Sequence, residues 1–233
     1  MPAFLSLPNI RLTSAQQDTI KLLALVLMVF DHIAYINELS QGWRVPGRLV
    51  MPIFSFLIAY NYLHNTRNAT RYALRLAIFA SISQLPYMWL FQAEIYDLNI
   101  LATLLCGLLL IMGVDAARQL PGWLRYLVNP LLIVGISAIT LFNSYTLLGP
   151  LLMLAVYYYL RTPNLLSLFA LATALALLNA YWSLYLGFAG LASMFIVYAA
   201  SRLDAGTLRL PKMLGYWFYP AHMVVLKAYS VFV

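Results

Sequence analysis

The sequence predicts an all-α protein, a polytopic bundle of about nine transmembrane helices that forms a single domain over residues 1–233. Composition is the first support, because 64% of the residues are hydrophobic, only 9% are charged and the mean hydropathy is +0.83. A soluble domain is about 25% charged, so this chain has too few charges to cover a surface that faces water. The apolar residues also fall in runs close to the ~20 residues of a membrane span, and these runs use nearly the whole chain.

Short polar joints separate nine apolar runs along the chain. The second, sixth and seventh runs are short, which bilayer thinning or burial among neighbouring helices can accommodate. An alternative of eight spans, with the last segment on the membrane surface, stays open. Ser14 and Gln17 have the spacing of a capping box at the start of the first helix. The predicted spans are 17–37, 49–63, 72–91, 98–115, 125–142, 145–160, 164–179, 181–200 and 214–233.

The distribution of basic residues predicts the orientation of the bundle. The net charge is +7, but the lysines and arginines lie in short segments on one side, a pattern typical of membrane topology rather than of nucleic-acid binding. With a cytoplasmic N-terminus, the outer segments carry only Arg44 and Arg48. We therefore expect a multi-pass protein of a bacterial inner membrane, in contact with lipid and not with nucleic acid, whose C-terminus is periplasmic. The inner segments then hold Arg11, Lys21, Arg67, Arg71, Arg75, Arg118, Arg125, Arg161, Arg202, Arg209 and Lys212.

Ionisable side chains inside the first and last predicted spans, among them Lys227 toward the outer end of the last, indicate a functional site, because placing such groups in a membrane is costly. Asp31 and His32 lie in the outer third of the first span, and His222 lies near the middle of the last. Neighbours on a helix point about 100° apart, so we expect either Asp31 or His32 to face a cavity and the other to orient a partner. Tyr35 is within reach of both, and Tyr219 shares a face with His222.

Polar residues from several spans are expected to meet in the outer half of the membrane. One acid, two imidazoles and one guanidinium are the parts of a general acid–base site with an oxyanion stabiliser; the alternative is that they only join helices by hydrogen bonds. No sequence pattern of a metal site, a Walker loop or a serine nucleophile elbow is present, so we expect no metal. Tyr157, Tyr158 and Tyr159 are interpreted as an interfacial belt. The outer-half cluster is Asp31, His32, Arg48, Gln84, Tyr87, Asn99, Tyr145 and His222.

Six stretches spread over nearly the whole chain match one family of membrane proteins. The most specific elements are MxxDH, GRxxxPxF and LNI in combination. The matching stretches are IKLLALVLMVFDHIAYI at 20–36, GRLVMPIFSFL at 47–57, HNTRN at 64–68, RLAIFASISQLPY at 75–87 with LNILATL at 98–104, YTLLGPLLMLAVYYYLR at 145–161 and FYPAHMVVL at 218–226. In these elements the chain resembles the TraX family, the conjugal pilin acetylases, and it is more distantly similar to the acyltransferase-three superfamily.

The resemblance implies an acetyltransferase that takes its acyl group from acetyl-CoA and modifies the N-terminal amine of a pilin subunit. Carried over by motif, it places Asp31, His32, Arg48 and His222 in catalysis. The motifs also contain Asn99 and Tyr219, and we expect these two residues to bind substrate together with residues of the polar cluster and its surroundings, namely Tyr145, Gln84, Tyr87 and Tyr35. In this scheme a histidine takes the proton of the amine, Asp31 orients that imidazole, and Arg48 with Asn99 receives the oxyanion or a CoA phosphate.

Two further expectations concern the donor and the acceptor. Acetyl-CoA is made in the cytoplasm whereas the polar cluster lies in the outer half of the membrane, so the donor needs a channel among the helices. The basic residues of the inner segments can attract the phosphates of CoA, although the positive-inside rule is the first explanation for their position. The acceptor stays open between a pilin amine and a hydroxyl of an extracytoplasmic glycan or lipid. A third alternative is a non-enzymatic protein for pilin assembly or transport.

Overall fold

The computed structural model describes residues 10–141, 143, 145–180, 184–204 and 206–232. Over this part of the chain it contains nine α-helices and two short 3-10 helices, with a single isolated bridge between Leu98 and Asn143 as its only β-type pairing. The predicted all-α fold is therefore confirmed. The α-helices are α1 (Ser14–Ile36), α2 (Val50–His64), α3 (Ala69–Phe91), α4 (Ile100–Ala117), α5 (Gly122–Thr140), α6 (Leu148–Arg161), α7 (Leu165–Ala180), α8 (Leu184–Arg202) and α9 (Leu214–Phe232), with the 3-10 helices η1 (Gln41–Arg44) and η2 (Pro46–Leu49) between α1 and α2.

Each predicted span overlaps one α-helix. Hydrogen bonds join the segment at the start of α1 to the ends of α2 and α8, from Leu12 to Tyr60 and from Gln16 to Leu203, as expected for helices that run back and forth across the bundle. We call the end of the bundle where α1 begins the basic end, because most of the lysines and arginines lie there, and the other end the histidine end. Among the described residues, four helices (α1, α3, α4 and α5) are long and apolar enough to cross a membrane. The protein is thus a helical membrane protein, while the number of nine spans stays a prediction.

The core of the bundle lies between α2, α4 and α6, which pack against one another along their lengths. Phe56, Ile111 and Met153 are fully buried there. Gly149 on α6 permits a close approach, since a Cβ at this position would overlap the Thr103 side chain of α4. Small residues of this kind let membrane helices approach closely, and van der Waals contact then stabilises the pair. By contrast α5 packs on α4 at the periphery, and Thr140 is its one buried residue.

The first helix is capped one residue earlier than predicted. The hydroxyl of Thr13 accepts a hydrogen bond from the backbone amide of Gln16 (3.2 Å), and the Gln16 side chain accepts one from the amide of Thr13 (2.8 Å). The capping box is therefore Thr13–Gln16, and the predicted Ser14–Gln17 pair is wrong. Both pairs have the same spacing, and only the extended backbone of Thr13 decides between them.

The predicted interfacial belt on α6 is wrong for Tyr157, which is fully buried. Its hydroxyl donates to a carboxylate oxygen of Asp115 on α4 (2.6 Å), and Tyr62 on α2 donates to the other oxygen (3.0 Å). Arg161 completes the group with an ion pair to Asp115 (2.7 Å). The carboxylate of Asp115 thus ties the three core helices together at the basic end.

Tryptophans mark both ends of the bundle in the part of the chain that the structure describes. Trp123 and Trp217 lie in the first turns of α5 and α9 at the basic end, and Trp43 and Trp89 lie at the histidine end. All four side chains are at least half exposed. Exposed tryptophans at two levels are typical of the two interfaces of a bilayer.

Candidate active site

The histidine end contains the two histidines of the predicted spans, brought together by packing of α9 along α1. His32 Nδ1 lies 2.9 Å from His222 Nε2, a hydrogen-bonding distance between residues 190 positions apart. The two imidazole planes are nearly parallel, at 15°, and both residues are buried. The rings of His32 and Phe91, at the end of α3, also form a T-shaped contact, with 5.0 Å between centroids.

The other nitrogen of His222 fixes the direction of this hydrogen bond. His222 Nδ1 lies 2.8 Å from the backbone carbonyl oxygen of Phe218. A carbonyl oxygen can only accept, so Nδ1 must carry the proton, and the Nε2 atom of a neutral His222 is then an acceptor. It follows that His32 donates through Nδ1, which leaves the Nε2 atom of His32 as a basic nitrogen with an unshared lone pair.

Asp31 faces the 3-10 helices rather than the histidines. Its carboxylate lies 3.3 Å from Arg44 Nε and 3.5 Å from Arg48 Nη2. Asp31 makes no contact to an imidazole among the described residues, so the expectation that it orients the catalytic imidazole is wrong. The reason is geometric, since Asp31 and His32 point to different sides of α1 and each meets a different partner.

One carboxylate between two guanidinium groups leaves a net charge of +1 beside the histidine pair. The side chains of Asp31, Arg44 and Arg48 are all largely shielded from solvent, at 14%, 19% and 9% exposure. The charges of both arginines act on His32. A surplus positive charge in a site with little water favours an anion or a developing oxyanion.

Two neighbours hold Arg48 and its ion pair in place. Gly47 packs against the carboxylate of Asp31 so closely that a Cβ would overlap it, so glycine is needed here for the close approach of η2 to α1. From the other side, the amide nitrogen of Asn179 on α7 donates to the carbonyl oxygen of Arg48 (3.4 Å). The glycine and the arginine of the GR element therefore have separate roles.

Three tyrosines border the cluster. The Arg44 guanidinium lies over the ring of Tyr35, 5.3 Å from its centroid, and the Tyr35 hydroxyl donates to the carbonyl oxygen of Phe91 (3.4 Å). The Tyr145 phenol lies close enough to Asp31, Arg44, Arg48 and Tyr87 to interact with them electrostatically. The structure thus brings Tyr35, Tyr145 and Tyr87 to the same end as the histidines, as expected, and their role in substrate binding stays a prediction.

Asn99 and Gln84 form the joint between α3 and α4. The Asn99 side-chain oxygen accepts from the amide of Leu101, which makes it the N-cap of α4. Its amide group donates to the carbonyl oxygen of Ala80 and to the side-chain oxygen of Gln84, both at 2.8 Å. Both donors of Asn99 are therefore already used by the protein, and the contacts are those of a structural cap rather than of an oxyanion ligand.

Tyr219 is buried one helical turn before His222 and contacts its ring, with 5.7 Å between centroids. Ile100, the first residue of α4, borders the same cavity as Tyr219. Tyr219 thus lies between the histidine pair and the interior of the bundle, on the same face of α9 as His222, as predicted.

Sequence reasoning did not assign two residues that the structure places at this site. The sequence predicts Arg44 only as a charge of the outer segment, although its position four residues before Arg48 is a usable signal. Asn179 is not among the predicted site residues, and its signal in the sequence is an amide near the end of an otherwise apolar helix. Arg44 contacts Asp31 from η1, 13 residues along the chain, and Asn179 contacts Arg48 from α7, 131 residues along the chain.

The fold and this cluster define a helical membrane protein with a buried two-histidine site. The family model for TraX protein matches residues 16–230, and the chain therefore belongs to the TraX family. The chain is 29% identical to Protein TraX of Escherichia coli over 224 residues, which are 91% of this chain and 86% of that protein. It is also similar to a probable fimbrial assembly protein, FimC of serogroup H1, from Dichelobacter nodosus, at 32% identity over 108 residues.

The match to the D. nodosus protein covers 40% of this chain and 44% of that relative. An uncharacterised protein of Rickettsia prowazekii is 32% identical over 92 residues, 39% of this chain and 34% of that protein. The chain therefore aligns with less than half the length of these two relatives. No solved structure matches the chain.

Proposed function

We propose that the chain is a multi-pass inner-membrane acetyltransferase that moves the acetyl group of acetyl-CoA to the N-terminal amine of a pilin subunit. The observation that carries this proposal is the buried hydrogen-bonded pair His32–His222, anchored on the carbonyl oxygen of Phe218. Such an anchored pair presents one basic nitrogen, His32 Nε2, in a site with little water. Packing of helices alone does not require this arrangement.

The reaction needs a base because an α-amino group has a pKa of about 7.7–8.0 and is mostly protonated at neutral pH. After the ammonium group has lost one proton to solvent, the amine nitrogen attacks the thioester carbonyl carbon and a C–N bond forms. His32 Nε2 takes the second proton of that nitrogen. The C–S bond then breaks, and the imidazolium of His32 returns the proton to the thiolate, so that the products are the acetylated amine and free CoA thiol.

The arginines supply the electrostatic part of the mechanism. Attack on the thioester converts its carbonyl oxygen into an oxyanion, and the net positive charge of Asp31, Arg44 and Arg48 lies beside His32. Hydrogen-bond donors and charges that are already in place at a developing oxyanion typically contribute 10²–10³ in rate. In this scheme Asp31 positions the two arginines, and His222 positions and polarises His32.

The identity of the acceptor is supported by the family and by one relative. The TraX family match covers residues 16–230, and a relative carries the name of a probable fimbrial assembly protein. A pilin presents its processed N-terminus at the membrane surface, where a site at the outer end of a bundle can reach it. The histidine end therefore corresponds to the periplasmic side in this proposal.

The test is the intact mass of the pilins from the host organism, compared between the wild-type strain, a deletion strain and a strain with His32→Ala. Loss of the mass of one acetyl group from one pilin in both mutant strains is expected. His64→Ala is the matched control, since His64 lies at the basic end beside Arg11, and it should retain the acetyl group. Unchanged pilin masses on deletion would remove pilin as the acceptor, and acetylation that persists in His32→Ala would remove His32 as the base.

A further inference from the structure

A cavity of about 340 Å³ lies between α1, α2, α3, α4 and α9. Lys21, Arg75 and Lys212 line it at the basic end. At its other end lie Ile100, the first residue of α4, and Tyr219. Because α4 begins at the histidine end, the cavity leads from the basic end toward the histidine pair.

The walls of the cavity change from polar to apolar along its length. Asn61, Asn65 and Thr66 lie at the same level as the three cations, at the joint between α2 and α3. Farther in, the wall consists of apolar side chains such as Leu57 and Leu104. This sequence of surfaces fits a ligand with a phosphate-bearing head and a slender arm.

The cations converge from three separate elements. Lys21 is on α1, Arg75 on α3 and Lys212 in the segment before α9. That segment is held in place by Asp18, whose carboxylate accepts from the backbone amide of Leu210 (3.1 Å). Asp18 also pairs with Lys21 (2.7 Å), so Arg75 and Lys212 provide most of the uncompensated positive charge at the mouth.

The distance to the site excludes a small acyl donor bound at these cations. Lys21 and His32 are 11 residues apart on α1, which corresponds to about 16 Å along the helix axis. Met28, which lines the cavity, is only one turn from His32, about 6 Å along the axis. A ligand held by its phosphates at the mouth therefore needs a long arm to deliver an acyl group to His32.

We infer that this cavity is the binding site of the acyl donor, a CoA thioester that enters from the cytoplasm. Its phosphates bind Arg75, Lys212 and Lys21, and its thioester lies beyond Met28 against Tyr219. The volume is at the lower end for ligand pockets and holds the arm of the donor, while the nucleotide stays at the mouth. This inference rests on the proposed function and adds the route by which a cytoplasmic donor reaches a periplasmic acceptor.

The test measures binding of CoA itself to the full-length chain in phosphatidylcholine nanodiscs, without any acceptor. Arg75→Ala and Lys212→Ala should each weaken CoA binding about tenfold, as expected for loss of a charge-assisted phosphate contact. The matched controls are Arg71→Ala, one turn from Arg75 on α3, and Arg209→Ala, which lies in the same segment as Lys212; neither residue lines the cavity. Equal CoA affinity in all four variants would overturn the inference.

A second measurement keeps the inference testable if these variants lose stability. Asn61→Cys, made in a Cys106→Ala background, places a thiol at the cavity mouth. Saturating CoA should slow its reaction with a maleimide, whereas an unchanged rate would contradict binding in the cavity. An anionic phospholipid has the same combination of phosphate and apolar chains. Copurification of such a lipid, lost in Arg75→Ala and Lys212→Ala, together with no CoA binding, would assign the cavity to lipid instead.

The outcomes separate this inference from the proposed function. CoA binding that depends on Arg75 and Lys212 without any acetylated pilin would keep the donor site and reject pilin acetylation. Acetylation that depends on His32 but is unaffected by Arg75→Ala and Lys212→Ala would keep the function and place the donor elsewhere.

Discussion

His32 and His222 are both buried imidazoles, but their hydrogen bonds give them different roles. His222 has both ring nitrogens occupied, by the Phe218 carbonyl oxygen and by His32. His32 retains Nε2 for an external proton. We therefore expect His32→Gln to lower the acetylation rate by 10²–10⁴, the usual contribution of a general base.

His222→Gln should cost much less, about tenfold by the same reasoning, because the amide oxygen of glutamine can still accept the proton of His32 Nδ1. His222→Leu removes that acceptor, and its acetylation rate should lie between the rates of His222→Gln and His32→Gln. Initial rates of acetyl transfer to pilin in nanodiscs, at saturating acetyl-CoA, provide the measurement. Equal rates for His222→Gln and His32→Gln would contradict the assignment of His32 as the base.

The close packing of Gly47 against Asp31 predicts the effect of a single added methyl group. In Gly47→Ala the new methyl group would overlap the Asp31 carboxylate, and overpacking of this kind typically costs about 1–3 kcal/mol. We expect a lower Tm in detergent together with a lower acetylation rate, because Arg48 and Asp31 must separate. Gly42→Ala is the control, since the nearest atom to its methyl group would be Ser40 Oγ at 3.8 Å. Equal Tm values for the two variants would argue against a close approach of η2 to α1.

The position of a charged side chain is predictable from the sequence, but its partner is not. Asp31 and His32 were identified because charged groups inside a span are costly, and that signal needs only the local sequence. The partners of Asp31 are 13 and 17 residues away, and the partner of His32 is 190 residues away. Helical periodicity predicts that the two side chains point in different directions, but it does not predict which residue each one contacts. The donors of Asn99 are satisfied for the same kind of reason, by Ala80 and Gln84 across a helix joint.

At the scale of elements, helices were predictable because an apolar run of span length has little alternative in a membrane, where each backbone group must be satisfied within the segment. The 3-10 helices η1 and η2 were not predictable, because the segment 41–49 contains polar residues, two glycines and a proline. Such a composition is typical of a connecting loop. These two short helices nevertheless carry Arg44 and Arg48. Arg44 therefore escaped prediction because η1 has no periodicity, whereas Asn179 escaped because it lies on an otherwise apolar helix, α7.

The hydrogen bonds that join α2, α4 and α6 at Asp115 predict an effect on stability that does not involve the candidate active site. Tyr157→Phe removes the donor that lies 2.6 Å from the carboxylate, and hydrogen bonds to charged groups contribute about 1.5–3 kcal/mol. We expect Tm to fall by several degrees. Tyr126→Phe on α5 is the matched control, because that side chain is 85% exposed. An equal Tm in both variants would show that Asp115 does not hold the three helices together.

For the whole molecule, the two ends of the bundle differ in charge, and this difference predicts topology. Arg44, Arg48 and the histidine pair lie at one end and most other basic residues at the opposite end. The positive-inside rule places the basic end in the cytoplasm. This orientation also determines the proposed direction of catalysis, with the donor entering between Arg75 and Lys212 and the acceptor reaching His32 from the periplasm.

Labelling of single cysteines in a Cys106→Ala background tests this orientation. Glu94→Cys lies in the exposed joint of α3 and α4 at the histidine end, and Gln119→Cys lies in the exposed joint of α4 and α5 at the basic end. A membrane-impermeant maleimide should label Glu94→Cys in intact spheroplasts and Gln119→Cys only after permeabilisation. Tyr229→Cys, near the end of α9 and half exposed, separates nine spans from eight, because only a spanning α9 makes it reactive from outside. Labelling of Gln119→Cys in intact spheroplasts would instead show that the basic end faces the periplasm. The cavity would then open to the periplasm, where a cytoplasmic CoA thioester cannot enter it.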